Sequence, residues 1–279
     1  MRAVGDDREG GGAVRVGVLG ATGRMGRATC RAVLAAADLE LVAAVARATK
    51  VGHELREVLP EAPGDLLIGE DLSDLVGSEV EVVVDFSAPE ATMAAARALL
   101  PGGIHLVSGT TGLPAGALEE LAGLAGQEEG GNLVWAPNFA LGAVLAMHFA
   151  AIAARHFPSA EVIELHHAGK ADAPSGTALR TAKAIAAAQG GARDHPPASR
   201  ESVAGVRGGD VDGVRVHSVR LPGLVAHQEV VFGGQGEILT VRHDSLDLAS
   251  FMPGVLLAVR HVPTRHGLTV GLEPLLGLS

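Results

Sequence analysis

Residues 13–46, AVRVGVLGATGRMGRATCRAVLAAADLELVAAVA, decide the fold. Val14 to Leu19 is rich in β-branched residues and runs into Gly20, which reads as a buried strand entering a turn. Arg24 to Ala37 predicts an alanine-rich helix, and Leu39 to Ala46 is apolar again, so the stretch is a βαβ unit. Gly20, Gly23 and Gly26 have the spacing G-x-x-G-x-x-G between strand and helix, where bare amides and a helix start can cradle a pyrophosphate. In a chain with 38 glycines among 279 residues the spacing alone is weak, and its position carries the reading. The candidate cofactor loop is Gly20, Ala21, Thr22, Gly23, Arg24 and Met25.

The pattern recurs outward from there. EVEVVVDFS predicts a strand ending at Asp85. The helix after it has Ser87 and Glu90 at capping-box spacing, Pro89 in its first turn and Pro101-Gly102-Gly103 as its stop. IHLVSGTTG and NLVWAPNF are further strands running into loops, adding Gly109, Thr110 and Thr111, then Ala136, Pro137, Asn138 and Phe139, to the candidate cofactor groups. Strands alternating with helices predict an α/β fold with a Rossmann-like, doubly wound parallel sheet. After Asn138 the texture changes. A helix closed by Pro158, a strand with a charged loop, a helix from Thr177 to Gln189 and a breaker-rich exposed loop over 190–210 come first. VRVHSVR, LVAHQEVVF and EILTVRH then follow with little helix between them, which predicts an α+β domain with an open mixed sheet. The expected division is a frayed tail over 1–12, a dinucleotide-binding domain over 13–139 with 250–279, and a substrate-binding domain over 140–249. Joined near Phe139 and Ser250, the two domains are expected to close over both ligands.

A formal charge of −10, from 22 basic and 32 acidic residues, gives no basic run to hold nucleic acid, so a small molecule is the expected partner. The single cysteine, Cys30, is expected in a helix core and fits a reducing cytoplasm. No apolar run is long enough to span a membrane, and the polar start MRAVGDDREGGG is unlike a signal peptide.

The most specific stretch is EVIELHHAGKADAPSGTA, residues 161–178. A strand precedes it, and His166 and His167 can face one ligand only if the strand ends there and the chain turns. Lys170 adds a cation and proton donor, and Ser175, Gly176 and Thr177 open a helix whose amides can bind a carboxylate. Asp172 can position Lys170 or cap the turn, and the cap is the favoured reading. No third ligand has metal spacing, so no metal is expected. Together these residues describe a site for a carboxylated substrate that needs a proton.

In order along the chain, VGVLGATGRMG, VVVDFSAPE, SGTTG, APNFALGAVL and ELHHAGKADAPSGTA resemble the dihydrodipicolinate reductase family, and GLVAHQEVVFG and RHDSLDLASFMPGVLLAV extend the likeness. The resemblance implies reduction of 4-hydroxy-tetrahydrodipicolinate by NADPH or NADH on the diaminopimelate route to lysine. It also implies a homotetramer. His166 would be the acid/base residue, Lys170 the proton donor, and His167, Gly176 and Thr177 the groups holding a small dicarboxylate. One departure is Ala46, where many relatives carry an acidic residue for the adenosine ribose. With Arg47 beside it, and Lys50 nearby, dual cofactor use with NADPH at least as good as NADH is expected. Another amino-acid dehydrogenase of the aspartate dehydrogenase type, or a nucleotide sensor without turnover, would share the crevice. The first has no reason to carry HHAGKADAPSGT, and the second would be favoured if the acid/base residues were missing, whereas they are present.

Overall fold

Strand β1 (Val14–Leu19) leads through the glycine turn into α1 (Arg24–Ala35) and returns as β2 (Leu39–Val45). Gly26, Thr29, Cys30 and Val33 are the buried face of α1, the spacing that one side of a helix requires. Burial pushes the Cys30 thiol up to about 12, so it packs as an apolar group. The computed structural model describes residues 12–47, 50–190 and 201–278. The tail over 1–11 and the first half of the expected loop, 191–200, lie outside the described residues.

The chain continues through β3 (Ile68–Gly69), α2 (Leu72–Val76), β4 (Val82–Asp85), α3 (Pro89–Leu99), β5 (His105–Ser108), α4 (Ala117–Leu124) and β6 (Leu133–Trp135). Then come α5 (Leu141–Ala153), β7 (Ser159–His166), α6 (Gly176–Ala188), β8 (Gly209–Val211), β9 (Val214–Arg220), β10 (Ala226–Gly234), β11 (Glu237–Ser245), α7 (Met252–His261) and β12 (Leu268–Val270). Two compact units result. One takes the described residues up to Phe139 together with Met252–Gly277, and the other takes Ala140–Phe251.

The first unit holds a seven-stranded sheet of order β12-β6-β5-β4-β1-β2-β3, whose paired strands all run parallel. Order reverses between β1 and β4, the switch point beyond which doubly wound sheets bind ligands. β4 is buried along its whole length, as a central parallel strand must be. β12 pairs with β6, which returns the carboxyl-terminal segment to this sheet. The second unit holds a mixed sheet of order β11-β10-β7-β9-β8, with β7 antiparallel to β10 and parallel to β9. Ala160, Val162 and Glu164 line the buried face of β7, and Ala178, Ala182 and Ile185 of α6 share a core with Ala160 and Val162.

One local expectation changes. α3 has Ala88, not Ser87, at its N-cap, with no side-chain cap. The Ser87 hydroxyl is drawn two residues back to the Asp85 carboxylate, 2.5 Å away. The stretch before Ser78 forms β3 and the short α2, which a capping box between Asp71 and Asp74 opens.

Candidate active site

The expected cofactor groups stand at the carboxyl ends of β1, β2, β5 and β6. Gly20 takes φ +84°, and its N–H and that of Ala21 both donate to the Val45 carbonyl, at 2.9 and 3.0 Å. A Cβ at Gly26 would stand 2.1 Å from the Gly20 carbonyl oxygen, so only glycine lets α1 pack this close to the turn. α1 starts after Gly23 with no side chain on its first-turn amides, the donor set a phosphate needs. A pocket of about 490 Å³ opens beside this turn, lined by Gly20, Thr22, Ala46, Arg47, Glu70 and Ser87 among others. The geometry therefore fits a dinucleotide.

The same pocket holds carboxylates that sequence spacing did not bring to it. Ala46 donates its N–H to the Gly69 carbonyl at 3.1 Å, which sets Glu70 beside Ala46 across β2 and β3. Asp71 and Glu90 also line the pocket, against Arg47 as its one basic lining residue among the described residues. Lys50 instead lies 3.8 Å from Glu57.

Around the switch point Asp85 is fully buried and encircled by donors. It accepts from the Ser87 N–H (2.9 Å) and from the hydroxyls of Ser87, Thr92 (2.5 Å), Ser108 (2.8 Å) and Thr110 (3.1 Å). This one carboxylate ties the loops after β4 and β5 together. Trp135 Nε1 donates to the Thr110 carbonyl at 2.8 Å, and a Cβ at Gly109 would collide with the Phe86 ring, 2.2 Å away. Phe86 meets Phe139 edge-on, centroids 5.6 Å apart. Among the expected cofactor groups Ala21, Thr110, Ala136 and Phe139 are buried, Thr22, Met25, Gly109, Pro137 and Asn138 half-buried, and Gly23, Arg24, Arg47 and Thr111 exposed.

The other cluster lies at the end of β7. The strand stops at His166 and the chain turns over Ala168 and Gly169, leaving His167 exposed. His166 Nδ1 lies 2.5 Å from Glu164 Oε2. Arg220 grips the same carboxylate with both arms, at 2.9 Å to Oε2 and 2.8 Å to Oε1, and donates to the Asp172 carbonyl at 2.6 Å. The Ser175 N–H adds a fourth bond to Glu164 at 3.3 Å. Burial alone would raise the Glu164 carboxyl, but donation from Arg220, Ser218 and His166 outweighs it and holds it below the usual range. Burial lowers the His166 imidazole, and the Lys170 and Arg220 charges push the same way against Glu164, so the net shift is down.

Lys170 Nζ donates to Asp172 Oδ1 at 2.7 Å. Asp172 therefore pairs with the lysine and does not cap the turn. The cap belongs to Ser175, whose Oγ accepts from the Ala178 N–H at 3.2 Å. α6 opens at Gly176, which is exposed, with open space where a Cβ would stand, and Thr177 follows half-buried. An imidazole, a lysine and a helix start thus gather at one strand end, a set able to donate protons and hold a carboxylate. Glu164 and Arg220 were missed by sequence reasoning. The available signal was a carboxylate in the apolar row of β7, which must find donors to be buried there.

Residues 14–139 match the family model described as dihydrodipicolinate reductase, N-terminus, and residues 142–276 match its C-terminus. The chain belongs to the dihydrodipicolinate reductase family. It is 52% identical over 266 residues to a 4-hydroxy-tetrahydrodipicolinate reductase of Mycolicibacterium smegmatis, covering 95% of this chain and 100% of that protein. A protein of the same name from Nocardia farcinica is 53% identical over 267 residues, covering 95% and 99%. Among solved structures, a dipicolinate-bound dihydrodipicolinate reductase from Paenisporosarcina superposes with a TM-score of 0.81 at 37% identity, covering 94% of this chain and 99% of that one. An amine dehydrogenase from Mycobacterium smegmatis, at 13% identity and a TM-score of 0.62, shares the fold only.

Proposed function

We propose that the chain reduces 4-hydroxy-tetrahydrodipicolinate to tetrahydrodipicolinate with NADPH or NADH, releasing water, on the diaminopimelate route to lysine. The observation that carries this is the cluster of His166, Lys170 and the start of α6 at the end of β7. A bound nicotinamide supplies hydride to the conjugated cyclic imine left by water loss. Electron density then collects one atom away, and a positioned acid must deliver a proton there. His166 is the acid/base residue and Lys170 the proton donor. His167, Gly176 and Thr177 hold the carboxylates, the helix start lending its amides and its dipole. The half-buried His166, below its ordinary pKa when alone, takes up a proton more readily once an anionic substrate arrives.

For the cofactor, Gly20 to Met25 hold the pyrophosphate, and the loops at 109–111 and 136–139 receive the nicotinamide end. Arg47 offers a partner to a 2′-phosphate, and Glu70 offers an acceptor to ribose hydroxyls beside the vacant Ala46 position. Both cofactors are used, and the pocket's carboxylates hold back the advantage to NADPH that Arg47 alone suggests. The enzyme works in the cytoplasm as a homotetramer. Supporting assembly, β11 is an edge strand with Ile238 75% exposed, and an apolar edge is a surface that chains cover. Oxidation of NADPH or NADH with freshly generated 4-hydroxy-tetrahydrodipicolinate tests the activity. Turnover is expected, and none with either cofactor sinks the reading.

A further inference from the structure

Among the described residues Asp85 and Glu164 are the carboxylates buried from solvent, and only Glu164 touches a residue of the proposed proton path. We propose that Glu164, clamped by Arg220, is a positioning residue: it fixes His166 with a proton on Nδ1, makes Nε2 the proton-exchanging atom, and ties that nitrogen to the substrate-holding helix start. The proposal rests on the reading of His166 as the acid/base residue.

A carboxylate that accepts from both arms of an arginine and from a backbone N–H is ionised and has only acceptors to offer. Its contact to His166 Nδ1 must therefore be an N–H donating to it. The ring is fixed in one tautomer and one orientation, because a flipped imidazole would set carbon against a buried charge. Without Arg220, burial would favour a protonated Glu164, which would donate to Nδ1 and move the imidazole proton to Nε2. The bond from Ser175 and the bond from Arg220 to the Asp172 carbonyl hold both ends of the turn into α6 on the same carboxylate. The charged groups around His166 are Glu164 on its own strand, Arg220 from β9, and Lys170 with Asp172 from the loop. Ala226, opposite on β10, carries none.

The isosteric variant Glu164→Gln keeps the volume but sets an amide NH₂ against donors. Its kcat/KM is expected to fall on the order of 10²-fold, with the cofactor Kd unchanged and the falling limb of the pH profile moved to lower pH. Glu164→Asp, which keeps the charge, should restore part of the limb. A folded Glu164→Gln enzyme with wild-type kcat/KM and an unmoved limb overturns the proposal. Since loss of a buried partner can also impair folding, ¹⁵N NMR of histidine-labelled wild-type enzyme is the second readout. Neutral His166 is expected to carry its proton on Nδ1, and a proton on Nε2 overturns the proposal. His166→Ala separates the levels. Full turnover there removes the acid/base reading and the proposal with it, whereas an inactive His166→Ala beside an unaffected Glu164→Gln removes the proposal alone.

Discussion

Asp85 at the end of β4 and Glu164 near the end of β7 are both fully buried, yet their donors differ in kind. Asp85 is met by four hydroxyls and one backbone N–H, none of which changes charge. Glu164 is met by the Ser218 hydroxyl too, but also by an arginine, a backbone N–H and an imidazole, and the imidazole titrates. A buried carboxylate costs stability unless its oxygens are satisfied, so both sites needed several donors. The choice of donors separates their roles. The hydroxyl cage locks loop geometry at the switch point. The cationic clamp is coupled to a residue that carries a proton.

The comparison can be broken most severely in the second unit. His166→Ala and Lys170→Ala should each reduce turnover by about 10² to 10⁴, the usual worth of positioned proton transfer, with cofactor affinity nearly unchanged. Steady-state kinetics with fluorescence titration of NADPH check both halves, and wild-type turnover in both variants would end the assignment. In the first unit Asp85→Asn should act the other way. An amide among hydroxyl donors leaves buried groups mismatched at about 1 to 3 kcal/mol, which should lower Tm and weaken cofactor binding while turnover at saturating cofactor falls much less. An unchanged Tm and an unchanged cofactor Kd would contradict the cage.

A gentler contrast uses the open space at Gly176. Gly176→Ala meets no atom of the protein and suits a helix, so Tm should hold or rise. If a substrate carboxylate binds there, KM should rise about tenfold with kcat little changed, as expected when uniform binding is lost, and His167→Ala should share that pattern. A normal KM in both would move the carboxylate site elsewhere. The smallest effects concern cofactor choice. Arg47 and Glu70 are exposed, and exposed charges are worth about 0 to 1 kcal/mol. Arg47→Ala should weaken NADPH by a few-fold and spare NADH, and Glu70→Gln should do the reverse. Equal effects on both Kd values at one salt concentration would show that neither residue reads the ribose.

The first unit was legible because its parallel strands are buried on both faces, so each reads as a short apolar run followed by small residues. The loop at 166–177 was legible because its residue types are unusual together and adjacent in sequence. What sequence hid was non-local or competitive. Arg220 stands 56 residues from Glu164 and reaches it only through the β7–β9 register, in which His166 lies opposite Arg220. Ser87 had the spacing of a cap, but Asp85 two residues earlier offered its hydroxyl a buried charge. Asp172 likewise met Lys170 before it could cap anything. β3 has two residues and no periodicity to read, so Glu70 could not be placed beside Ala46 in advance.

The most direct measurement is a paired one on His166→Ala and Asp85→Asn: NADPH Kd by fluorescence titration, and turnover with freshly generated 4-hydroxy-tetrahydrodipicolinate at saturating NADPH. The account predicts opposite signatures, with His166→Ala binding NADPH as the wild type does and turning over at least about 10²-fold more slowly. Asp85→Asn should bind NADPH more weakly and keep most of its turnover. A His166→Ala enzyme at wild-type rate, or the same loss pattern in both variants, would contradict it.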